Sequence, residues 1–187
     1  MSAQIQTWLE EHRNFGRLLQ LLDGEIAAFH AGDRPDYDLM LDVMYYMTHY
    51  PDGYHHPLED AAFAELSQQD DSAREEVEAL FEQHRDIERH GAPLLETLQG
   101  ALDGAVMARD AVERSAAAYS ESMRTHMQRE ESFLFPRLEN VLSDEDWARA
   151  QASVARTSDP LFGDAVAERY RGLQRRIARY SGCGCEV

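Results

Sequence analysis

Lysine is missing from this chain. All 18 basic residues are arginine, against 35 acidic ones, and the formal net charge of the 187 residues is -17 at pH 7. A surface of that sign repels phosphate, which argues against nonspecific nucleic-acid binding and against adhesion to an anionic membrane. Long apolar runs are missing too, since none approaches the roughly 18 residues that a bilayer span requires. Cysteine is confined to Cys183 and Cys185, so a secreted fold built on disulfides is excluded. The opening MSAQIQTWLEEH has neither a basic stretch nor an apolar signal core, and a cytoplasmic location is expected. The 43% hydrophobic content suffices for the packed core of one domain.

What the chain does contain is helical periodicity, apolar residues recurring at spacings of three and four. Ile5, Trp8, Leu9, Phe15, Leu19, Leu22, Ile26 and Phe29, closed by Gly32 and Pro35, predict a helix over 3–31. A second segment runs from Asp36 through Met40, Met44, Met47, Leu58, Phe63 and Leu66. Pro51, Gly53 and Pro57 interrupt it and predict a kink or short break. The third runs from Val77 to Leu102 with a bend expected at Gly91 and Pro93, and the fourth carries Val112, Ala116, Tyr119, Met123, Phe133, Leu134 and Leu138. Four amphipathic helices on short connections predict an all-α fold, an antiparallel up-down-up-down four-helix bundle over residues 1–142.

Beyond the bundle, Ser143 and Asp146 read as a capping box opening a helix to about Arg156. Asp159, Pro160 and Gly163 break the chain. A final helix over 164–180 is expected to lay Tyr170, Leu173 and Ile177 on the bundle, its arginines complementing the acidic body. Residues 143–181 thus form a helical extension, and the tail 182–187, GCGCEV, is expected to be disordered.

Six polar residues fall in phase with the apolar stripes. His12 lies between Trp8 and Phe15, and His84 between Leu80 and Ile87. His126 and Glu130 lie between Met123 and Leu134, and His55 and Glu59 stand in the corresponding places ahead of Phe63 and Leu66. A lone histidine on a core stripe is usually a satisfied core residue. A buried glutamate is different, because an unpaired carboxylate there costs many kcal/mol and calls for a cation or a metal. The spacing repeats: His12 to His55 is 43 residues, His84 to His126 is 42, and the later histidine of each pair opens His-x-x-x-Glu. LEEHRNF (9–15) and FEQHRDI (81–87) agree at a shift of 72, so the chain is a repeat of a helix pair. Residues four apart share a helix face, and four imidazoles with two carboxylates suit two metal ions, two histidines on each and both glutamates bridging.

With its pattern of H, HxxxE, H, HxxxE over residues 5–142, the sequence resembles the hemerythrin-like HHE cation-binding proteins. The resemblance implies two non-haem iron ions, a di-iron centre held by His12, His55, Glu59, His84, His126 and Glu130. A ferritin-like site would instead rest on glutamates and Glu-x-x-His pairs. Two departures stand out. Oxygen-carrying hemerythrins have a second histidine one turn from the third-helix ligand, where this chain has Leu80 and Glu88. Their fourth-helix carboxylate follows its histidine by five residues, a place held here by Glu131, which is kept as an alternative to Glu130.

His56 faces about 100° from His55 in an ideal helix and becomes a seventh donor if the prolines distort that turn. Tyr50 and Tyr54 stand near the expected pocket, as packing residues or as phenols facing a bound oxygen species. His30, His49 and His90 are off-phase or remote and read as surface residues. Cys183 and Cys185 read as an inert tail, with a surface thiol pair as the alternative. The expected ligand is a small molecule, O2, NO or peroxide. Two functional classes follow, an oxygen or nitric oxide binding, sensing or storage module, and a di-iron peroxidase or catalase-like enzyme of oxidative or nitrosative stress.

Overall fold

The computed structural model describes residues 2–181, and all regular structure among them is helical. Helix α1 (Ala3–Ala31) opens on Ser2, whose side chain accepts from the Ile5 N–H. It closes at Gly32, whose φ of 81° turns its N–H back onto the Ala28 and Phe29 carbonyls. Helix α2 (Tyr37–Tyr50) is capped by Asp36 and runs through a π-helical turn, Pro51–His55, into α3 (His56–Gln69). Helix α4 (Arg74–Leu102) returns, and α5 (Arg109–Arg129) passes through a second π turn, Glu130–Leu134, into α6 (Phe135–Val141). Helices α1, α2, α4 and α5 each pack on the next around a ring that closes between α5 and α1, the four-helix bundle expected. Helix α7 (Asp144–Ser153) packs on α3, and α8 (Arg171–Ser181) reaches α1 and α2.

The core is cut in two. One apolar cluster gathers Phe15, Leu18, Leu22, Met44, Met47, Ile87, Tyr119 and Met123. The other gathers Ile5, Trp8, Leu58, Phe63, Leu80, Leu134, Leu138 and Trp147. On every bundle helix the in-phase polar residues sit between the two, so the polar level is sealed from both ends.

Both π turns are tied to proline. In each, a backbone bond runs one residue further than in an α-helix, from His56 N–H to the Pro51 carbonyl and from Phe135 N–H to the Glu130 carbonyl. Pro57 and Pro136 stand second in the helices that follow. Each lacks the N–H an α-turn would need, and the wider turn accommodates the missing bond. The first π turn is the break expected at Pro51–Pro57. The second shifts the register of the fourth helix, so Phe133, placed on the core stripe by periodicity, is 61% exposed while Leu134, Phe135 and Leu138 are buried.

The bounds of the last two helices need correcting, and α4 shows no break at its internal glycine and proline. Helix α4 runs unbroken through Gly91 and Pro93. A Cβ at Gly91 would lie 3.0 Å from Thr48 and Tyr119 side-chain atoms, so neighbouring helices clasp α4 there, and the one bond Pro93 removes does not break it. Helix α7 keeps its capping box but ends at Ser153 rather than Arg156. The last helix begins at Arg171, after a 3-10 turn at Glu168–Tyr170, rather than at residue 164. In the preceding loop the Asp159 carboxylate accepts from the Leu161 and Phe162 N–H groups. The tail holding Cys183 and Cys185 lies outside the described residues.

The register after the second π turn is open to direct test. Phe133→Ala should change stability by no more than about 0.5 kcal/mol, whereas Phe135→Ala should cost about 3–5 kcal/mol. Urea unfolding of the two variants checks this, and equal losses would mean that the helix is not shifted.

Candidate metal centre

The six in-phase residues converge at one level of the bundle and are almost fully buried. The Nε2 atoms of His12 and His55 lie 3.2 Å apart, and those of His84 and His126 also 3.2 Å. The two carboxylates lie between these pairs. Glu59 places Oε1 3.1 Å from His55 Nε2 and 3.6 Å from His12 Nε2, and Oε2 3.7 Å from His84 Nε2. Glu130 places Oε1 3.5 Å from His84 Nε2, and Oε2 3.2 Å from His126 Nε2 and 3.5 Å from His12 Nε2. Each glutamate therefore spans both halves.

His56 joins this set. Its ring stacks on His84 at 4.4 Å and meets His126 edge-on at 5.4 Å. Its Nδ1 is 3.1 Å from Asp52, which leaves Nε2 without a hydrogen-bond partner. Adjacent residues on a helix diverge by about 100°, and the second bundle helix stands between α1 and α4. His55 consequently faces His12 on α1 while His56 faces His84 on α4. The halves are unequal, His12 and His55 against His56, His84 and His126.

All four oxygens of Glu59 and Glu130 lack a hydrogen bond of proper geometry, as does His56 Nε2. Buried carboxylates in that condition call for positive charge. The donor chemistry, imidazole nitrogens around bridging carboxylates, fits a pair of transition-metal cations. Two groups could each hold an ion, His12, His55 and Glu59 on one side and His56, Glu59, His84 and His126 on the other.

In the metal-free chain the same charge is met by protons. Burial alone would push the His55 imidazole down, but Glu59 and Glu11 carry it up to about 10. His84 is likewise pushed down by burial, yet Asp60 and Glu130 lift it to about 10, and His12 is raised by Glu131 and Glu59 against its own burial. His126 is held well below the ordinary imidazole range by burial and then by His84 and His56; His56 is pushed to about 4 by burial and His84. Burial and then Glu59 raise Glu130 to about 7. Glu59 goes well below the carboxylate range, because His55 and His12 outweigh its burial.

The outer nitrogens show residues that periodicity missed. His55 Nδ1 is 2.7 Å from Glu11, His84 Nδ1 2.7 Å from Asp60, His12 Nδ1 2.9 Å from Glu131 and His126 Nδ1 3.4 Å from Gln83. Each partner is the immediate neighbour of a donor, and each reaches the next helix around the ring. Glu131, the alternative donor, has its carboxylate on the far side of His12 from the pair, while Glu130 sits inside. The repeat held the signal: Glu11 and Gln83 correspond in LEEHRNF and FEQHRDI, and Asp60 and Glu131 each follow the glutamate of an HxxxE. Tyr50 donates to Glu11 at 2.7 Å. His30, His49 and His90 are exposed, as expected.

The family model of the hemerythrin HHE cation-binding domain matches residues 3–138, and again residues 76–159. The chain belongs to this family. The second match begins two residues into α4, as the first begins at the start of α1, so the HHE pattern itself follows the repeat of the helix pair. No curated protein and no solved structure matches the chain. The cation-binding description of the hemerythrin family fits the cluster of buried imidazoles and unpaired carboxylate oxygens.

The titration behaviour has a consequence for binding. His55 and His84, raised to about 10, favour the protonated form at pH 7, and His12 is shifted in the same direction, whereas a ligating imidazole must be neutral. Cation uptake at pH 7 should expel protons, and apparent affinity should fall about tenfold per pH unit of acidification for each proton displaced. A metal titration in weakly buffered solution, followed by pH electrode, measures the release; binding without it would contradict this charge assignment.

Proposed function

We propose that this protein is a non-haem di-iron protein that binds and reacts with a small oxygen-containing ligand, peroxide above all, in oxidative or nitrosative stress. The observation that carries the reading is the pair of fully buried glutamates whose four oxygens have no hydrogen bond, spanning one half with two histidines and one with three. Glu59 and Glu130 would bridge the ions, His12 and His55 would hold one, and His84, His126 and His56 the other. In this assignment His56 supplies the donor that α4, with Leu80 and Glu88, lacks. The bundle of residues 1–142 carries the chemistry, and the extension of residues 143–181 covers it. Bound iron would polarise peroxide or a diatomic ligand and exchange electrons with it.

The chain's own residues set the conditions for that chemistry. The apolar clusters above and below exclude water from the pair. Glu11, Asp60, Glu131 and Gln83 fix the rings by their outer nitrogens, and orienting contacts of this kind govern metal affinity. The half with two histidines leaves more positions open to a ligand. Beside it the Tyr50 phenol holds a proton on Glu11, within hydrogen-bond reach of a group that itself touches His55. Two clefts, of about 370 and 250 Å³, share Tyr54, in the π turn that carries His55, with Thr157 and Ser158 in their linings.

A second reading, reversible oxygen carriage, gains one observation: with His56 the donor set becomes three histidines and two, which makes up for the third-helix histidine that oxygen-carrying hemerythrins have and this chain lacks. The proton and phenol beside the open half favour turnover. Protein from iron-replete cells should hold about two irons per chain, as two clusters of this donor type would, and its oxidised form should consume peroxide. Trace metal alone would sink the di-iron reading; a persistent reversible oxygen spectrum with no peroxide loss would make the carrier correct.

Two neighbouring glutamates separate the proposed roles. Glu130→Gln should lose iron outright, while Glu131→Gln should keep the stoichiometry and weaken affinity by about 10–100-fold. His90→Ala should leave iron unchanged. Elemental analysis with competitive chelation checks all three, and equal loss from Glu130→Gln and His90→Ala would refute the assignment.

A further inference from the structure

Next to the half with two histidines, four tyrosines stand in file. Glu11 bridges His55 Nδ1 and the Tyr50 hydroxyl, both at 2.7 Å. The Tyr50 ring stacks on Tyr46 with centroids 5.7 Å apart, Tyr46 meets Tyr170 edge-on at 5.7 Å, and Tyr170 lies 6.3 Å from Tyr45. Tyr46, Tyr50 and Tyr170 are buried. Tyr45 is half-buried and reaches the surface between the Arg169 guanidinium, 3.4 Å over one face, and the exposed His49 ring, stacked at 3.8 Å.

Packing the extension onto the bundle would need only the rings. The hydroxyls show a further pattern, for both inner phenols donate to carboxylates, Tyr50 to Glu11 and Tyr46 to Asp159 at 3.0 Å. Glu11 is buried and Asp159 half-buried, and each also holds a second group, Glu11 the His55 ring and Asp159 the Leu161 and Phe162 N–H groups, so both acceptors are fixed in place. A phenol gives up an electron readily only if its proton can leave at the same moment, and an anionic acceptor already in hydrogen-bond contact provides for that. Electron tunnelling falls steeply with distance, so rings in near contact carry a charge that one long step would not.

We infer that Tyr50, Tyr46, Tyr170 and Tyr45 form a relay that passes single electrons from a phenolic donor at the Tyr45 surface to the metal centre, making the protein a peroxidase toward phenols. This rests on the peroxide reading above. The balance closes without another reagent: one hydrogen peroxide takes up two electrons and two protons and gives two waters, its O–O bond breaking, while two phenol molecules each lose one electron and one proton and become phenoxyl radicals. At Tyr46 and Tyr50 the proton moves along the existing hydrogen bond to Asp159 or Glu11 as the electron departs inward, and returns when the next electron arrives; at Tyr170 and Tyr45, whose hydroxyls have no acceptor among the described residues, it goes to solvent and returns from it.

A competing exit exists on the opposite side. Trp8 lies 6.5 Å from His55 and 5.7 Å from Trp147, but its Nε1 has no hydrogen-bond partner, so no group stands ready to accept its proton.

The test uses the full chain loaded with ferrous iron, its iron counted, then mixed with hydrogen peroxide and frozen for electron paramagnetic resonance. The expected result is a tyrosyl radical whose signal narrows when the protein carries ring-deuterated tyrosine. Tyr46→Phe should keep its iron and absorption spectrum yet lose several-fold in radical yield and in the rate of phenol oxidation, and Tyr50→Phe should do the same. Tyr37→Phe, on α2 but outside the file, should retain the radical yield. A merely structural tyrosine would not move the isotope-sensitive signal. With iron bound and peroxide consumed, an unchanged radical in Tyr46→Phe and Tyr50→Phe overturns the relay alone, as does a signal indifferent to tyrosine deuteration, which would point to Trp8 and Trp147. A chain that binds no iron overturns the di-iron reading and the relay with it.

Discussion

Two carboxylates in the middle of an apolar bundle govern everything else in this molecule. Glu59 and Glu130 are fully buried, and their four oxygens lack hydrogen bonds. Removing such a charge from water costs several kcal/mol per ion even after relaxation, so the fold must bring positive charge to the same place. It does so with histidines from all four bundle helices, of which His12, His55 and His84 are shifted toward the protonated form. The division of the core into two clusters follows from that requirement, since the polar level must be sealed above and below to be kept.

The imidazoles are in turn held by a cycle that runs once around the bundle. A side chain next to a donor on one helix fixes the histidine of the next: Glu11 on α1 holds His55, Asp60 on α3 holds His84, Gln83 on α4 holds His126, and Glu131, after α5, holds His12. The geometry is economical, because adjacent helical residues diverge by about 100°, close to the angle between neighbours in a ring of four. The repeat of the helix pair supplies the cycle twice over, with one inequality. Gln83 stands where Glu11 stands in the other half, so His126 has an amide at 3.4 Å where the others have a carboxylate. The same logic directs His56 toward α4 and leaves the halves unequal.

The sequence made some of this legible and hid the rest for physical reasons. Periodicity was enough to bring His12, His55, Glu59, His84, His126 and Glu130 to one level, because a buried glutamate in phase with leucines is conspicuous. Of the four orienting residues Glu131 was legible only as an alternative ligand, and Glu11, Asp60 and Gln83 were not found, since each is off its stripe by one position and reads as an ordinary solvated polar residue until the repeat is laid against itself. Phe133 was misplaced because the π turn after Glu130 depends on Pro136 and on what the turn packs against. Gly91 and Pro93 do not break α4, which runs continuously from Arg74 to Leu102 with Thr48 and Tyr119 packed at Gly91. The Tyr46 partnership with Asp159 joins residues 113 positions apart and left no periodic trace.

Anomalous diffraction at the iron edge, from crystals of iron-loaded protein, would locate the charge that the buried glutamates call for. Two peaks should appear, both between Glu59 and Glu130, one against His12 and His55 and the other against His56, His84 and His126. A single peak, or iron lying away from both carboxylates, would contradict the reading of these glutamates as the bridge of a metal pair.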